Sequence, residues 1–144
     1  MFKTIKNVIK WWPILREDQD WDYVFLLQVI RHKLQNMAVF FASESAVSVT
    51  SAEEAKAMRI CIGHLSRLIA DDFFDHEALD EKWGVVEIHD KPFNLQRPNV
   101  KTEQDQLNFG TDLHKACADA EQARQTVLDG FCQIFKDRVF NWWD

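Results

Sequence analysis

The chain has 144 residues, 47% of them hydrophobic and 28% charged, which is the composition of an ordinary globular domain and excludes wholesale disorder. Four glycines and three prolines are too few for an all-β protein with many tight turns. A formal net charge of -6 argues against general binding to duplex nucleic acid, which favours a basic protein surface.

The N-terminal segment predicts a basic amphipathic helix from Phe2 to Trp12. Its apolar residues recur at helical spacing and three lysines lie on the other side. We expect Pro13 to end this helix, because proline lacks a backbone donor. Residues 1–16 carry no acid, whereas 71–81 carry no base. Such asymmetry is typical of solvated faces and also suits self-association or an anionic partner.

The same helix, with its two adjacent tryptophans and its lysines, would also suit a membrane surface, although one short helix gives weak anchorage. No apolar run approaches the roughly 20 residues of a membrane-spanning helix. The Trp11-Trp12-Pro13 sequence also interrupts the segment before the core of a signal peptide could form. The expected location is therefore the cytoplasm.

The second predicted helix, from about Asp20 to Ser43, is the central one. Asp20 is an acceptable N-cap, and Asp22 adds a favourable negative charge to the first turn. Apolar residues then follow at alternating spacings of four and three, which indicates one buried stripe. The stripe consists of Tyr23, Leu27, Ile30, Leu34, Met37 and Phe41.

A third helix should begin at a capping box formed by Thr50 with Glu53, or by Ser51 with Glu54. Residues 76–101 break the helical period and predict a long irregular connection, either packed and functional or mobile. The buried face of the third helix is expected to consist of Ala55, Met58, Ile62, Leu65 and Ile69.

A last helix should be capped by Thr102 with Asp105, with a bend or interruption near Gly110. Together the helices predict an all-α fold: a single-domain helical bundle over residues 1–144, built on the long central helix and assembled as a homo-oligomer. Its later apolar stripe is expected to contain Cys117, Ala120, Val127, Phe131 and Ile134.

The three cysteines, Cys61, Cys117 and Cys132, are far apart in the sequence and have no C-x-x-C spacing. Each lies within an apolar helical pattern. We expect them to be small buried hydrophobic residues in a reducing compartment rather than partners in disulfides or metal ligands.

An acidic cluster is the best candidate for a metal site, because Asp72 and His76 lie four residues apart and would face one side of a helix. A solvated helix end explains the cluster better, so we expect no metal site and no cofactor. The sequence also has no G-x-S-x-G motif and no glycine-rich phosphate loop, and we predict no catalytic residue. The cluster comprises Asp71, Asp72, Asp75, His76 and Glu77.

Aromatic and basic residues occur together near the start of the central helix and at the C-terminus, as in nucleotide pockets. Tryptophan and tyrosine rings can stack on a base, while arginine and lysine can hold a phosphate. The alternative is that these aromatic side chains cap the bundle. The candidate ligand-binding residues are Trp21, Tyr23, Arg31, Lys33, Arg138, Trp142 and Trp143.

Several short motifs resemble a family of small, uncharacterised proteins of tailed bacteriophages. They are Trp11-Trp12-Pro13, Asp18-x-Asp20-Trp21-Asp22-Tyr23-x-Phe25-Leu26-Leu27, Arg31-x-Lys33-Leu34-x-x-Met37 and the terminal Trp142-Trp143-Asp144. The resemblance covers the first ~40 residues and the last three, and it implies expression in the cytoplasm of a bacterial host. It brings no catalytic residues.

From these observations we expect a non-enzymatic phage protein that binds and sequesters a nucleotide-derived immune signal of its host. The alternative is an accessory or virion-associated protein-interaction module without a small-molecule ligand. A metal-dependent nucleotide hydrolase using Asp71, Asp72 and His76 is the third candidate.

Overall fold

A computed structural model of the protein describes residues 2–16, 23–43, 50–89 and 94–142. In these ranges the protein is all-α, with five α-helices and one short hairpin, and the predicted fold class is confirmed. The elements in chain order are α1 (Phe2–Leu15), α2 (Tyr23–Phe41), α3 (Ser51–Ala70), α4 (His76–Trp83), β1 (Glu87–His89), β2 (Asn94–Gln96), α5 (Glu103–Arg138) and a terminal 3-10 helix (Val139–Trp142).

Helix α1 continues through Pro13 to Leu15, so the predicted end at Pro13 was wrong. Proline removes a single backbone donor, and the next turn still closes because the Arg16 N–H donates to the Trp12 carbonyl over 3.2 Å. Helix α2 lies inside its predicted range. The predicted cap residues Asp20 and Asp22 lie outside the described residues.

Helix α3 begins as predicted, but without the predicted capping box. Thr50 precedes the helix and its side chain makes no capping hydrogen bond. Glu54, one of the two proposed box partners, is instead 2% exposed and points into the interior. The helix ends at Asp71, which adopts the left-handed conformation (φ 49°) and donates its N–H to the Arg67 carbonyl.

The predicted irregular connection at 76–101 contains helix α4 and the antiparallel β1–β2 hairpin. The Asp75 carboxylate caps α4 by accepting the Ala78 N–H over 3.0 Å. Gly84 ends α4 at a φ of 81°, and a Cβ there would lie 2.5 Å from Pro98 Cγ. The sequence period missed α4 because the helix has only eight residues and buries only two of them, Leu79 and Trp83.

Helix α5 runs uninterrupted through Gly110, so the predicted break was wrong. Its predicted cap is confirmed. The Thr102 hydroxyl accepts the Asp105 N–H over 3.1 Å, while the Asp105 carboxylate accepts the Thr102 N–H over 2.9 Å. Hydrogen bonds from the Thr102 side chain and then from the backbone of Thr102 and Lys101 lower the pKa of Asp105.

The chain divides into two compact units, the first formed by Met1–Asp72 with Thr126–Asp144 and the second by Phe73–Gln125. Four positions of the predicted α2 stripe pack against the core of the first unit and a fifth, Leu34, is part of it, whereas Tyr23 is 61% exposed. The core of the first unit contains Leu34, Ala38, Met58, Cys61, Leu65, Phe131 and Trp142. The organisation of the chain as a single domain stays a prediction.

The three cysteines differ in their surroundings. Cys61 is fully buried, and burial raises the pKa of its thiol to about 11. Cys117 and Cys132 are exposed, so the prediction of burial was wrong for both. Both lie on α5, whose buried face is narrower than the apolar pattern suggests.

Candidate functional site

The residues predicted to bind a ligand do not all line one pocket in the described part of the chain. Tyr23 is exposed at the start of α2. Arg31 is half-buried, and its Nη1 lies 3.5 Å from the Ser66 hydroxyl on α3. Trp21 and Trp143 lie outside the described residues, so their predicted roles stay predictions.

Two of the predicted residues, Arg138 and Trp142, bind a buried carboxylate instead. Glu54 of α3 accepts Arg138 Nη1 over 2.9 Å at one oxygen and Trp142 Nε1 over 2.8 Å at the other. Burying a carboxylate is costly unless it is paired and hydrogen-bonded, and these two donors supply both conditions. Arg138 and Trp142 therefore hold the end of the chain against α3, and their role as ligand contacts stays a prediction.

A small apolar pocket brings Lys33 and Trp142 together in the first unit. Its volume is about 250 Å³, and its other walls include Trp11, Met37 and Phe135. The Phe135 and Trp142 rings meet edge to face, with their centroids 5.8 Å apart. This volume lies below the roughly 300–1,000 Å³ of typical small-molecule sites, and Lys33 is the one charged residue of the lining.

A larger cavity, of about 730 Å³, lies in the second unit, and we call it the Phe109 cavity. Its volume is within the range of small-molecule sites. The residues that matter most for its chemistry are Phe74, His76, Arg97, Gln106, Phe109 and Leu113. Of these, the sequence pattern singles out only His76, and as a candidate metal ligand.

Arg97 is fixed in the wall of the Phe109 cavity by contacts on several sides. Its Nη1 donates to Asp80 Oδ1 over 2.6 Å and to the Gly84 carbonyl. Its guanidinium carbon lies 5.4 Å from the centre of the Phe109 ring, a distance at which a cation is attracted to an aromatic face. The Arg97 side chain is only 10% exposed, so this part of the wall is preorganised.

The wall is supported behind Phe109 by the buried Trp83. The two rings meet edge to face at 5.9 Å, and Trp83 Nε1 donates to Asp112 Oδ2 over 2.9 Å. Lys82 Nζ lies 2.7 Å from the same oxygen. The hydrogen bond from Lys82, and then the one from Trp83, lower the pKa of Asp112.

Phe74 and His76 form a second aromatic part of the lining, with ring centroids 4.6 Å apart. The Phe109 cavity thus combines flat ring faces, a guanidinium and the side-chain amide of Gln106, which can both donate and accept hydrogen bonds. Such a lining suits a planar, heteroaromatic molecule. This lining has no periodic pattern in the sequence, because its residues come from a loop, a short helix, the hairpin region and the start of α5.

Two residues of the acidic cluster, which was the best metal candidate, lie at helix ends in the structure. Asp71 ends α3 and Asp75 caps α4. Among the described residues, no group of three or more His, Cys, Asp or Glu side chains is arranged to hold a metal ion. Nor does any helix in the described ranges have the length and hydrophobicity needed to cross a membrane.

Compared with known proteins, the chain matches no family model, no curated protein and no solved structure. The resemblance to tailed-bacteriophage proteins therefore stays a prediction.

Proposed function

We propose that the protein binds a planar, nucleotide-like small molecule in the Phe109 cavity without transforming it. The observation that carries the proposal is the cavity itself, a space of about 730 Å³ that joins aromatic walls to a fixed guanidinium. Small-molecule sites combine a mostly apolar lining with a few well-placed polar groups in this way.

In the proposed complex the heteroaromatic base stacks on the aromatic lining of the Phe109 cavity. Stacking of a base on an aromatic side chain contributes about 1–3 kcal/mol and tolerates different bases. The Gln106 amide lies in the same lining and supplies the hydrogen bonds that distinguish one base edge from another. This gives a base both affinity and selectivity.

The negatively charged part of the ligand is expected to approach Arg97. A guanidinium has five N–H donors, of which those on Nη1 already serve Asp80 and the Gly84 carbonyl. Because Asp80 offsets part of its charge, the cavity favours the base over a multiply charged phosphate group. A ligand with one or two phosphates, or a cyclic nucleotide, fits this balance better than a triphosphate.

This proposal moves the site away from the residues predicted around α2 and the C-terminus, since Arg138 and Trp142 are engaged by Glu54. It keeps the predicted ligand class. In a phage protein, binding without turnover would lower the free concentration of a nucleotide signal in the infected bacterium and so weaken a defence that depends on it.

The test is a thermal-shift panel of cyclic and linear nucleotides with the purified protein, followed by heat denaturation and mass analysis of the released compound. A raised melting temperature with unaltered ligand supports sequestration, because a ligand that binds only the folded state stabilises it. A chemically changed product would favour the hydrolase alternative. No shift with any nucleotide would overturn the proposal.

A pair of α5 variants ties the effect to the cavity. Gln106→Trp fills the Phe109 cavity and should abolish the thermal shift. Gln104→Trp introduces the same side chain at an exposed position outside the lining residues and should preserve it. If both variants keep the shift, the ligand binds elsewhere.

The protein-interaction alternative is favoured by one observation on α2. Val39 and Phe40, adjacent near the end of that helix, are 73% and 55% exposed, and neighbouring exposed apolar side chains are typical of contacts with other chains. Light scattering of the purified protein checks the predicted homo-oligomer. If Val39→Glu converts an oligomer to a monomer, the surface is an interface between copies.

A further inference from the structure

The amphipathic helix α1 turns its apolar face away from the protein. Trp11 and Ile14 are only half-buried and form its inner side, where Trp11 meets His32 edge to face at 5.0 Å. The Lys10 carbonyl lies 3.0 Å from His32 Nε2. The apolar residues on the remaining face are between 49% and 67% exposed: Ile5, Val8, Ile9, Trp12 and Leu15.

These five residues form one continuous surface, which we call the α1 apolar face. Each of them lies three or four residues from at least one other, which puts all five on the same side of a helix. A contiguous patch of large exposed apolar side chains is unusual for a surface that contacts only water, and it marks a binding surface. The structure leaves this face uncovered within the described residues.

The charge around the α1 apolar face selects its occupant. Lys6 and Lys10 are exposed on the other side of the same helix, Arg16 follows the helix, and residues 1–16 contain no acid. A second copy docking face to face would bring two wholly basic helices together, and such like-charge contacts are unfavourable. The complementary occupant is therefore anionic as well as apolar.

We propose that α1 binds the surface of an anionic phospholipid membrane, lying in its plane with the α1 apolar face in the acyl boundary. A convex row of Ile, Val, Leu and Trp side chains needs no preformed groove when the partner is a fluid surface. The lysines on the other side of the helix can hold their charged ends at the level of the lipid phosphates, because their stems are long and apolar. Tryptophan favours this interfacial depth.

The proposal is tested by co-sedimentation of the full chain with vesicles of equal parts phosphatidylcholine and phosphatidylglycerol. Binding to these vesicles should be measurable, weaker in high salt, and much weaker with pure phosphatidylcholine. Ile9→Glu should lower the partition coefficient at least about tenfold, since it removes an apolar contact and adds a repelled charge. Circular dichroism checks that each variant keeps its helix content.

Asn7→Glu is the matched control, because it adds the same charge to the same helix at an exposed position off the α1 apolar face. It should reduce binding only by the charge effect, about fivefold or less. Lys6→Gln is expected to cost about as much as that control. The apolar substitution must therefore cost more than either.

Three outcomes would overturn the proposal. The first is that the protein binds neither the vesicles with phosphatidylglycerol nor those of pure phosphatidylcholine. The second is equal loss with Ile9→Glu and Asn7→Glu, which would show that charge alone attracts the protein. The third is a concentration-dependent oligomer abolished by Ile9→Glu in the absence of vesicle binding, which would assign the face to a second copy of the chain.

Discussion

The contacts of Glu54 give the sharpest stability prediction for this protein. The Glu54 side chain is 2% exposed, and its partner Arg138 is 44% exposed. Replacing Arg138 with alanine leaves the carboxylate buried with only the indole N–H of Trp142 as a donor. Removing one partner of a buried ion pair costs about 3–5 kcal/mol, and the partial exposure of Arg138 moves the expected cost to the lower end, about 3 kcal/mol.

The assay is urea denaturation followed by far-ultraviolet circular dichroism, from which the free energy of unfolding is extrapolated. Lys136→Ala is the matched control, because it removes a positive charge from the same last turn of α5 at an exposed position. Its effect should stay within about 0.5 kcal/mol. The difference between the two variants isolates the contact with Glu54 from the general effect of charge at the helix end.

The decisive measurement adds Glu54→Gln to Arg138→Ala. The glutamine amide oxygen can still accept the Trp142 N–H, and the buried negative charge is gone. The double variant should therefore be more stable than Arg138→Ala alone, by at least about 1 kcal/mol. The reasoning is refuted if the double variant is no more stable than the single one, or if Arg138→Ala costs under about 1 kcal/mol.

Three further predictions concern helix α5 and its partners. Gly110→Ala should raise the free energy of unfolding by up to about 1 kcal/mol, since alanine favours a helix interior and its Cβ would meet nothing within 4 Å. Gly130→Ala should gain less or lose stability in the same assay, because its Cβ would lie 3.0 Å from the His64 ring. Hydrogen bonds, first the one from Lys82, lower the Asp112 pKa from its ordinary value of 3.8. The ionised carboxylate therefore stabilises the fold above that pH, and this contribution is lost as the pH falls through the lowered pKa. Asp112→Asn should therefore flatten the loss of stability on acidification, and an unchanged acid profile would contradict this.

The sequence predicts the long helices well because their apolar periods report burial directly. The alternating spacing through Leu34 and Met37 identified α2, and both residues belong to or pack against the core of the first unit. The reciprocal cap at Thr102 and Asp105 was equally readable, since it depends on residues three positions apart. Such local patterns can be predicted from sequence because the interacting residues are close together in the chain.

The same rules failed where a contact from distant sequence decided the outcome. A capping-box glutamate and a buried glutamate look alike in sequence, and only Arg138 and Trp142, more than 80 residues further on, decide that Glu54 is buried. One clue was available, because Glu54 lies four residues before Met58 on the buried side of α3. A carboxylate on an apolar stripe predicts a partner but does not name it.

The Phe109 cavity could not be predicted from the sequence for a related reason. Arg97 is held in its wall by a hydrogen bond to Asp80. The neighbouring Pro98 packs against Gly84, where a Cβ would lie too close to the proline ring. Neither contact leaves a periodic trace, and the short helix α4 buries too few residues to give one. The aromatic and basic residues near α2 and the C-terminus therefore gave no indication of where this cavity lies.

The two proposals concern different compact units, and this makes their failures distinguishable. The α1 apolar face belongs to the first unit and the Phe109 cavity to the second. Ile9→Glu should weaken vesicle binding and leave the nucleotide thermal shift intact, whereas Gln106→Trp should abolish the thermal shift and leave vesicle binding intact. If either substitution removes both activities, the two surfaces act as one site, and neither proposal holds in its present form.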